Sequence, residues 1–123
     1  MDYNHITEKI IGAAITVHRI LGPGMLENTY KHCLVYELRQ MGLRVQSEVP
    51  VPLLYKEIKL ECGYRIDILV EYAVVVELKT VDEFHPTHEA QMLTYLKFAD
   101  KPIGLLINFK TKLLKNGIKR YIL

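Results

Sequence analysis

The sequence predicts one α/β domain, and three observations predict it. Apolar residues recur at helical spacing from Ile10 to Met41, the period changes to two from Arg44, and a further helical stretch near Glu89 separates two groups of strands. The expected element order is α-α-β-β-β-β-α-β-β.

Asn4 or Thr7 is placed to cap the first helix, and Glu8 supports its first turn. Ile10, Ala14, Val17 and Leu21 follow on one stripe until Gly22-Pro23-Gly24 interrupts the pattern. A second helix is expected from about Met25 to Met41, with Leu26, Tyr30, Leu34 and Leu38 on its apolar face. Gly42 stands where a helix-ending glycine belongs. Val45, Val49, Val51 and Leu53 then alternate with polar residues or prolines, and Pro50 and Pro52 mark an edge or irregular strand. Tyr55-Lys56-Glu57 turns the chain into Ile58–Cys62, and strands follow at about Tyr64–Val70 and Val74–Lys79. Thr87 is the expected cap of a helix running to about Ala99. Asp100-Lys101-Pro102 ends that helix, and the unbroken apolar run Ile103–Phe109 reads as a buried strand. Lys115-Asn116-Gly117 is a turn before a short last strand, Ile118–Leu123.

The chain has 123 residues, half of them hydrophobic and a quarter charged, so residues 1–123 suit one globular domain with a single core. A net charge of +2 argues neither for nor against a nucleic-acid partner. Distribution says more, because Lys110, Lys112, Lys115, Lys119 and Arg120 form a run without acids. Such a run can contact phosphate or can be a solvated surface. Cys33 and Cys62 have neither metal nor redox spacing and read as reduced, buried thiols. The first residues lack a signal-type apolar run, and no stretch approaches the roughly 20 apolar residues that span a bilayer. A soluble, cytoplasmic protein is expected.

The chemistry concentrates in one hairpin. A three-residue loop, Glu71-Tyr72-Ala73, pairs Val70 with Val74, Ile68 with Val76 and Ile66 with Leu78, which makes one face wholly apolar. A two-residue loop would mix the faces. In the preferred register Asp67 lies opposite Glu77, and Arg65 opposite Lys79. Opposed like charges destabilise a sheet. A cation bridging them would reverse the sign, and hard oxygen ligands suit Mg2+ or Mn2+. The alternative is a compensated cluster in which Arg65 and Lys79 neutralise the two acids.

Helical residues are placed to complete this site. Glu27 lies one turn before Tyr30 and Lys31. His88, Gln91 and Tyr95 share one face of the third helix, with Ala90, Leu93 and Leu96 expected to face the core. His85 and His88 have H-x-x-H spacing, but Pro86 between them makes a poor zinc pair.

Gly24-Met25-Leu26-Glu27-Asn28-Thr29-Tyr30 fits G-x-x-E-x-x-Y. With Gly63-Tyr64-Arg65-Ile66-Asp67, Val76-Glu77-Leu78-Lys79, His88-Glu89-Ala90-Gln91, Leu106-Ile107-Asn108-Phe109 and Gly117-Ile118-Lys119-Arg120, it resembles the GxxExxY proteins of the PD-(D/E)XK nuclease superfamily. The resemblance runs from about Ile10 to Leu123. It implies a restriction-endonuclease-like core, with a central mixed four-stranded sheet flanked by helices. It also implies a hydrolase that cuts nucleic acid, DNA ahead of RNA, with Mg2+ or Mn2+ as cofactor. Asp67, Glu77 and Glu27, with the Leu78 carbonyl, would bind the metal, and Lys79 would be the lysine of E-x-K. Gln91 and Tyr95 would match the Q-x-x-x-Y helix of RecB-like exonuclease domains and orient Lys79 or the nucleic acid. Ile66 stands where the superfamily name has proline.

Two other readings share the fold. One is a nucleic-acid-binding module without cleavage, whose affinity would depend strongly on salt but not on Mg2+. The other is an interaction protein acting through a homodimer or a partner protein, since the chain carries no added recognition motif.

Overall fold

A computed structural model describes residues 2–123. Helices α1 (Asn4–Leu21) and α2 (Glu27–Gln40) precede strands β1 (Val45–Pro50), β2 (Leu53–Tyr55), β3 (Ile58–Leu60), β4 (Arg65–Val70) and β5 (Val74–Lys79). Helix α3 (Pro86–Ala99), β6 (Ile103–Asn108), a 3-10 turn (Leu114–Gly117) and β7 (Ile118–Ile122) complete the order. The α/β class and the helix between two groups of strands are as expected. Five strands precede α3 instead of four, because the two prolines divide the first one. Val51 N–H still reaches Tyr64 O at 2.9 Å. Pro52 then has no N–H to give, and the chain leaves the sheet for the separate β2–β3 hairpin.

The main sheet has the order β1-β4-β5-β6-β7 and therefore five strands, not four. Among the described residues only β5 and β6 run parallel, and α3 makes the crossover between them. Helices α1 and α2 cover one face, with Ile10, Tyr30, Leu34, Val76, Leu105 and Phe109 in that core. Helix α3 covers the other, where Ile66, Leu69, Val75, Met92, Leu96 and Leu106 pack together.

Helix ends differ from expectation in instructive ways. Neither Asn4 nor Thr7 caps α1. Asn4 is already helical, its N–H donates to Asp2 Oδ1 at 2.8 Å, and Thr7 is buried within the helix. Leu26 is no part of the α2 stripe, since it precedes the helix in extended conformation and is 77% exposed. The stripe is Tyr30, Leu34, Val35 and Leu38. Gly42 ends α2 as expected. Its φ of 80° lets its own N–H reach Arg39 O while Leu43 N–H reaches Leu38 O.

Helix α3 begins at Pro86, with His85 and His88 forming a capping box, so Thr87 is not the cap and the H-x-x-H pair closes a helix end. Its core face is Met92, Tyr95 and Leu96, whereas Ala90 is exposed and Leu93 is 42% exposed. The expected turn at Lys115-Asn116-Gly117 lies within the 3-10 segment. A Cβ at Gly117 would come 2.7 Å from Asn108 O, so close approach explains this glycine. Both cysteines are free, but Cys62 is exposed and Cys33 only half-buried, so neither is the buried thiol expected.

Candidate functional site

The site forms where two strands stop pairing. β4 and β5 pair through Val70↔Val74, Leu69↔Val75 and Ile68↔Val76, the register set by the three-residue loop. The next expected pairs, Asp67 with Glu77 and Ile66 with Leu78, are absent from the ladder. The two carboxylates have taken the places of ladder acceptors. Asp67 N–H donates to Glu77 Oε2 at 3.1 Å, and Leu78 N–H donates to Asp67 Oδ2 at 2.8 Å. Backbone donors inside a protein must find acceptors, and here each strand supplies one to the other through a side chain. Alternation breaks at the same point. Ile66 joins the α3-side core while Leu78 stays on the α1/α2 side, so the expected single apolar face does not extend past Ile68.

On the other flank, β1 pairs at Ser47↔Ile68 and Val49↔Ile66 but skips the position between. That position is Glu48, at φ 53°. A non-glycine residue held in this region costs on the order of 1–3 kcal/mol and is concentrated at functional sites.

Glu77 is only 5% exposed. Burial, then the charge and hydrogen bond of Asp67, push its carboxyl up to about 10, with Lys79 pulling the other way. The pair therefore resists carrying two charges, and Glu77 is the member pushed towards its protonated form.

Glu27 is brought to this pair by α2. It opens the helix, and the Tyr30 hydroxyl braces the loop before it by donating to Gly22 O and accepting Met25 N–H at 3.0 Å. The Tyr30 ring stacks on Phe109, with centroids 4.4 Å apart. Partial desolvation raises the Glu27 pKa, and Asp67 adds to it, while Lys79 and Lys31 oppose the rise. Neither close packing nor a positive φ explains Gly24.

A polar cavity of about 230 Å³ lies between α2 and the broken ladder, lined by Glu27, Asn28, Lys31, Glu48, Asp67 and Leu78. Lys31 and Glu48 form an ion pair across it. Sequence reasoning did not assign Asn28, Lys31 or Glu48 to the site. Lys31 was within reach of it, being four residues after Glu27 on the same helical face. Glu48 carries no such signal, because only the β1–β4 register brings it beside Asp67.

Lys79 ends β5 and acts electrostatically on Glu77, Glu27 and His88, but it forms no ion pair among the described residues. The chain after it is clamped by buried Asn108. Asn108 Oδ1 accepts Val81 N–H (3.1 Å) and Lys110 N–H (3.2 Å), and its Nδ2 donates to Val81 O (2.7 Å). Tyr95 comes from the α3 side. Desolvation, then Glu77 and Asp67, push its hydroxyl up to about 12, so it stays a neutral donor. Gln91 borders a second cavity with Tyr95, and no hydrogen bond among the described residues ties it to Lys79. The alternative, in which Arg65 helps to neutralise the acids, is not seen, since Arg65 is exposed and makes no such ion pair among the described residues. In the basic tail, Lys110 pairs with Asp82, Lys119 with Glu89, and Arg120 bonds Asn4, which leaves Lys112 and Lys115 exposed.

A family model described as the PD-(D/E)XK nuclease superfamily matches residues 4–121. The chain belongs to the PD-(D/E)XK nuclease superfamily. The superfamily implies nucleic acid as partner and typically uses divalent metals. No curated protein and no solved structure matches. Among the described residues, no helix is long and apolar enough to cross a membrane.

The residues can be tested against such a metal. Among the described residues no three His, Cys, Asp or Glu side chains stand together as a metal-holding group. The donor chemistry nevertheless fits. Asp67, Glu77 and Glu27 are hard oxygen donors, Asp67 raises the proton affinity of the other two, and Glu27, Asp67 and Leu78 line one cavity.

Proposed function

We propose that this chain is a metal-dependent nuclease of the GxxExxY kind, hydrolysing phosphodiester bonds in nucleic acid, DNA ahead of RNA. One observation carries the reading: a buried carboxyl, Glu77, is forced against Asp67 at the break in the ladder. Retaining this unfavourable pair makes sense where a cation joins it. Asp67, Glu77, Glu27 and the Leu78 carbonyl would hold Mg2+, with Mn2+ as substitute. When bound, the ion supplies Lewis-acid stabilisation of phosphate charge and lowers the pKa of a water.

The remaining work falls to the chain itself. Lys79, with no ion-pair partner among the described residues, is available to neutralise a phosphate oxygen or to hold the attacking water. Lys31, already paired with Glu48, lies on the cavity wall where a second phosphate would pass. Tyr95 keeps its proton and can donate a hydrogen bond towards the scissile group. Gln91, one turn earlier on α3, would orient the strand. The two free cysteines suit the reducing cytoplasm.

A second reading has its own observation. Each acid already serves a backbone N–H of the opposite strand, which suits a binding module that keeps the fold without cutting. Incubation of labelled DNA and RNA with the protein and Mg2+ separates the two. The nuclease reading expects cleavage that Asp67→Asn and Glu77→Ala each reduce at least a hundredfold. Activity unchanged in both variants would refute it, and salt-sensitive binding without any cleavage would favour the second reading.

A further inference from the structure

On the α3 side of the broken ladder lies a cavity of about 300 Å³, at the small end of ligand pockets. Its lining is Leu53, Tyr64, Gln91, Thr94, Tyr95 and Phe98. Half of these residues are aromatic. Tyr64 meets Tyr95 edge-on with centroids 6.3 Å apart, and it is itself 43% exposed. The polar equipment is sparse. Thr94 spends its hydroxyl on Ala90 O, whereas the Gln91 amide makes no hydrogen bond among the described residues.

The cavity shares Leu53 and Phe98 with a neighbouring groove bordered by Lys59 and Lys97, and neither lining includes an acidic side chain. Lys97 Nζ stands 5.5 Å from the Phe98 ring centroid. Arg65, next to Tyr64 in the chain, is exposed at the start of β4. Tyr95 joins this cavity to the acids, since its hydroxyl lies within the field of both Glu77 and Asp67.

An aromatic slot, one amide without a protein partner among the described residues and a rim of cations match a nucleotide piece by piece. A base face stacks on aromatic rings, a base edge needs a group that both donates and accepts, and the backbone seeks positive charge. We propose that this cavity receives one unpaired nucleobase of the strand to be cut. Tyr64 and Phe98 hold its faces, and the Gln91 amide meets its edge. Lys97, Lys59 and Arg65 draw the backbone, and an adjoining phosphodiester is thereby set towards Asp67 and Glu77. A base within a duplex has its faces covered by its neighbours, so the preferred substrate is single-stranded, frayed or unstacked at this position. The inference rests on the nuclease reading for what the neighbouring acids do, but its binding element can be tested without cleavage.

The test is anisotropy binding in chelator at fixed salt. It compares a short labelled DNA strand, the same strand with abasic sites, and its duplex. The intact strand is expected to bind more tightly than both others. Tyr64→Ala should weaken intact-strand binding about 5- to 150-fold, the value of one stacked base. It should leave abasic binding and the salt dependence unchanged, because no charge is removed. Tyr64→Phe should bind as wild type does. Equal affinity for intact and abasic strands, or equal losses of both in Tyr64→Ala, overturns the proposal. A Mn2+ titration separates this from the nuclease reading. Metal bound without base preference sinks only the base pocket, and base preference without metal binding sinks only the nuclease.

Discussion

A carboxyl withdrawn from water and set against a second carboxyl keeps its proton, and Glu77 does so up to about 10 against an ordinary value of 4.5. Between those two values the folded chain holds a proton that the unfolded chain has released. The sign follows directly. Stability from this group is fully present below about pH 4.5 and declines as pH rises towards 10, by at most about 1.4 kcal/mol per unit. Glu77→Gln removes the titration while keeping the size. In urea unfolding with chelator, the variant should gain on the wild type progressively from pH 5 to pH 8. A difference that does not change with pH would mean that Glu77 is not held protonated against Asp67. At this scale Asp67, Glu77 and Lys79 were legible from their place at the ends of apolar strands. The state of Glu77 was not, because depth of burial comes from the whole sheet.

Two side chains anchor the elements that carry the site. Tyr30 ties Gly22 and Met25 together ahead of Glu27, which gives the tyrosine of the G-x-x-E-x-x-Y motif a mechanical meaning. Tyr30→Phe should cost about 1–2 kcal/mol by urea unfolding, as the loop loses a buried hydroxyl that bonds twice. Asn108 clamps the segment after Lys79 with two hydrogen bonds to Val81 and accepts a third from Lys110 N–H. Asn108→Ala should cost about 2–3 kcal/mol, since Val81 loses partners for both its N–H and its C=O. A loss below half a kcal/mol would show that water replaces the clamp. The hairpin register was legible down to Ile68 because alternation of Val, Ile and Leu admits one loop length. Beyond that point it failed, since carboxylates replaced ladder bonds and turned Ile66 to the other core. On α3 the apolar residues allowed two faces. Packing against β6 chose Met92, Tyr95 and Leu96, which is how Tyr95 belongs to both core and site.

For the whole molecule, order and class were legible because period changes from 3.6 to 2 survive without tertiary knowledge. Sheet composition was less so. β1 and β7 complete a five-stranded sheet, and the parallel step through α3 puts Lys79 and Gln91 at the same end of the fold. Glu48 shows the limit most clearly, since its place beside Asp67 depends on two strands separated in sequence. With the metal bound only by the folded chain, saturation at a hundredfold excess over Kd should stabilise the protein by about 2.7 kcal/mol. Asp67→Asn should abolish that gain in a thermal-shift assay. The central claim, that Asp67 and Glu77 form a divalent-cation site, is tested most directly by calorimetric titration with Mn2+ at pH 8, in two buffers of different ionisation heat. Saturable binding with release of about one proton, lost in Asp67→Asn and Glu77→Ala, is the predicted result. Absence of binding, or binding that both variants retain, would contradict it.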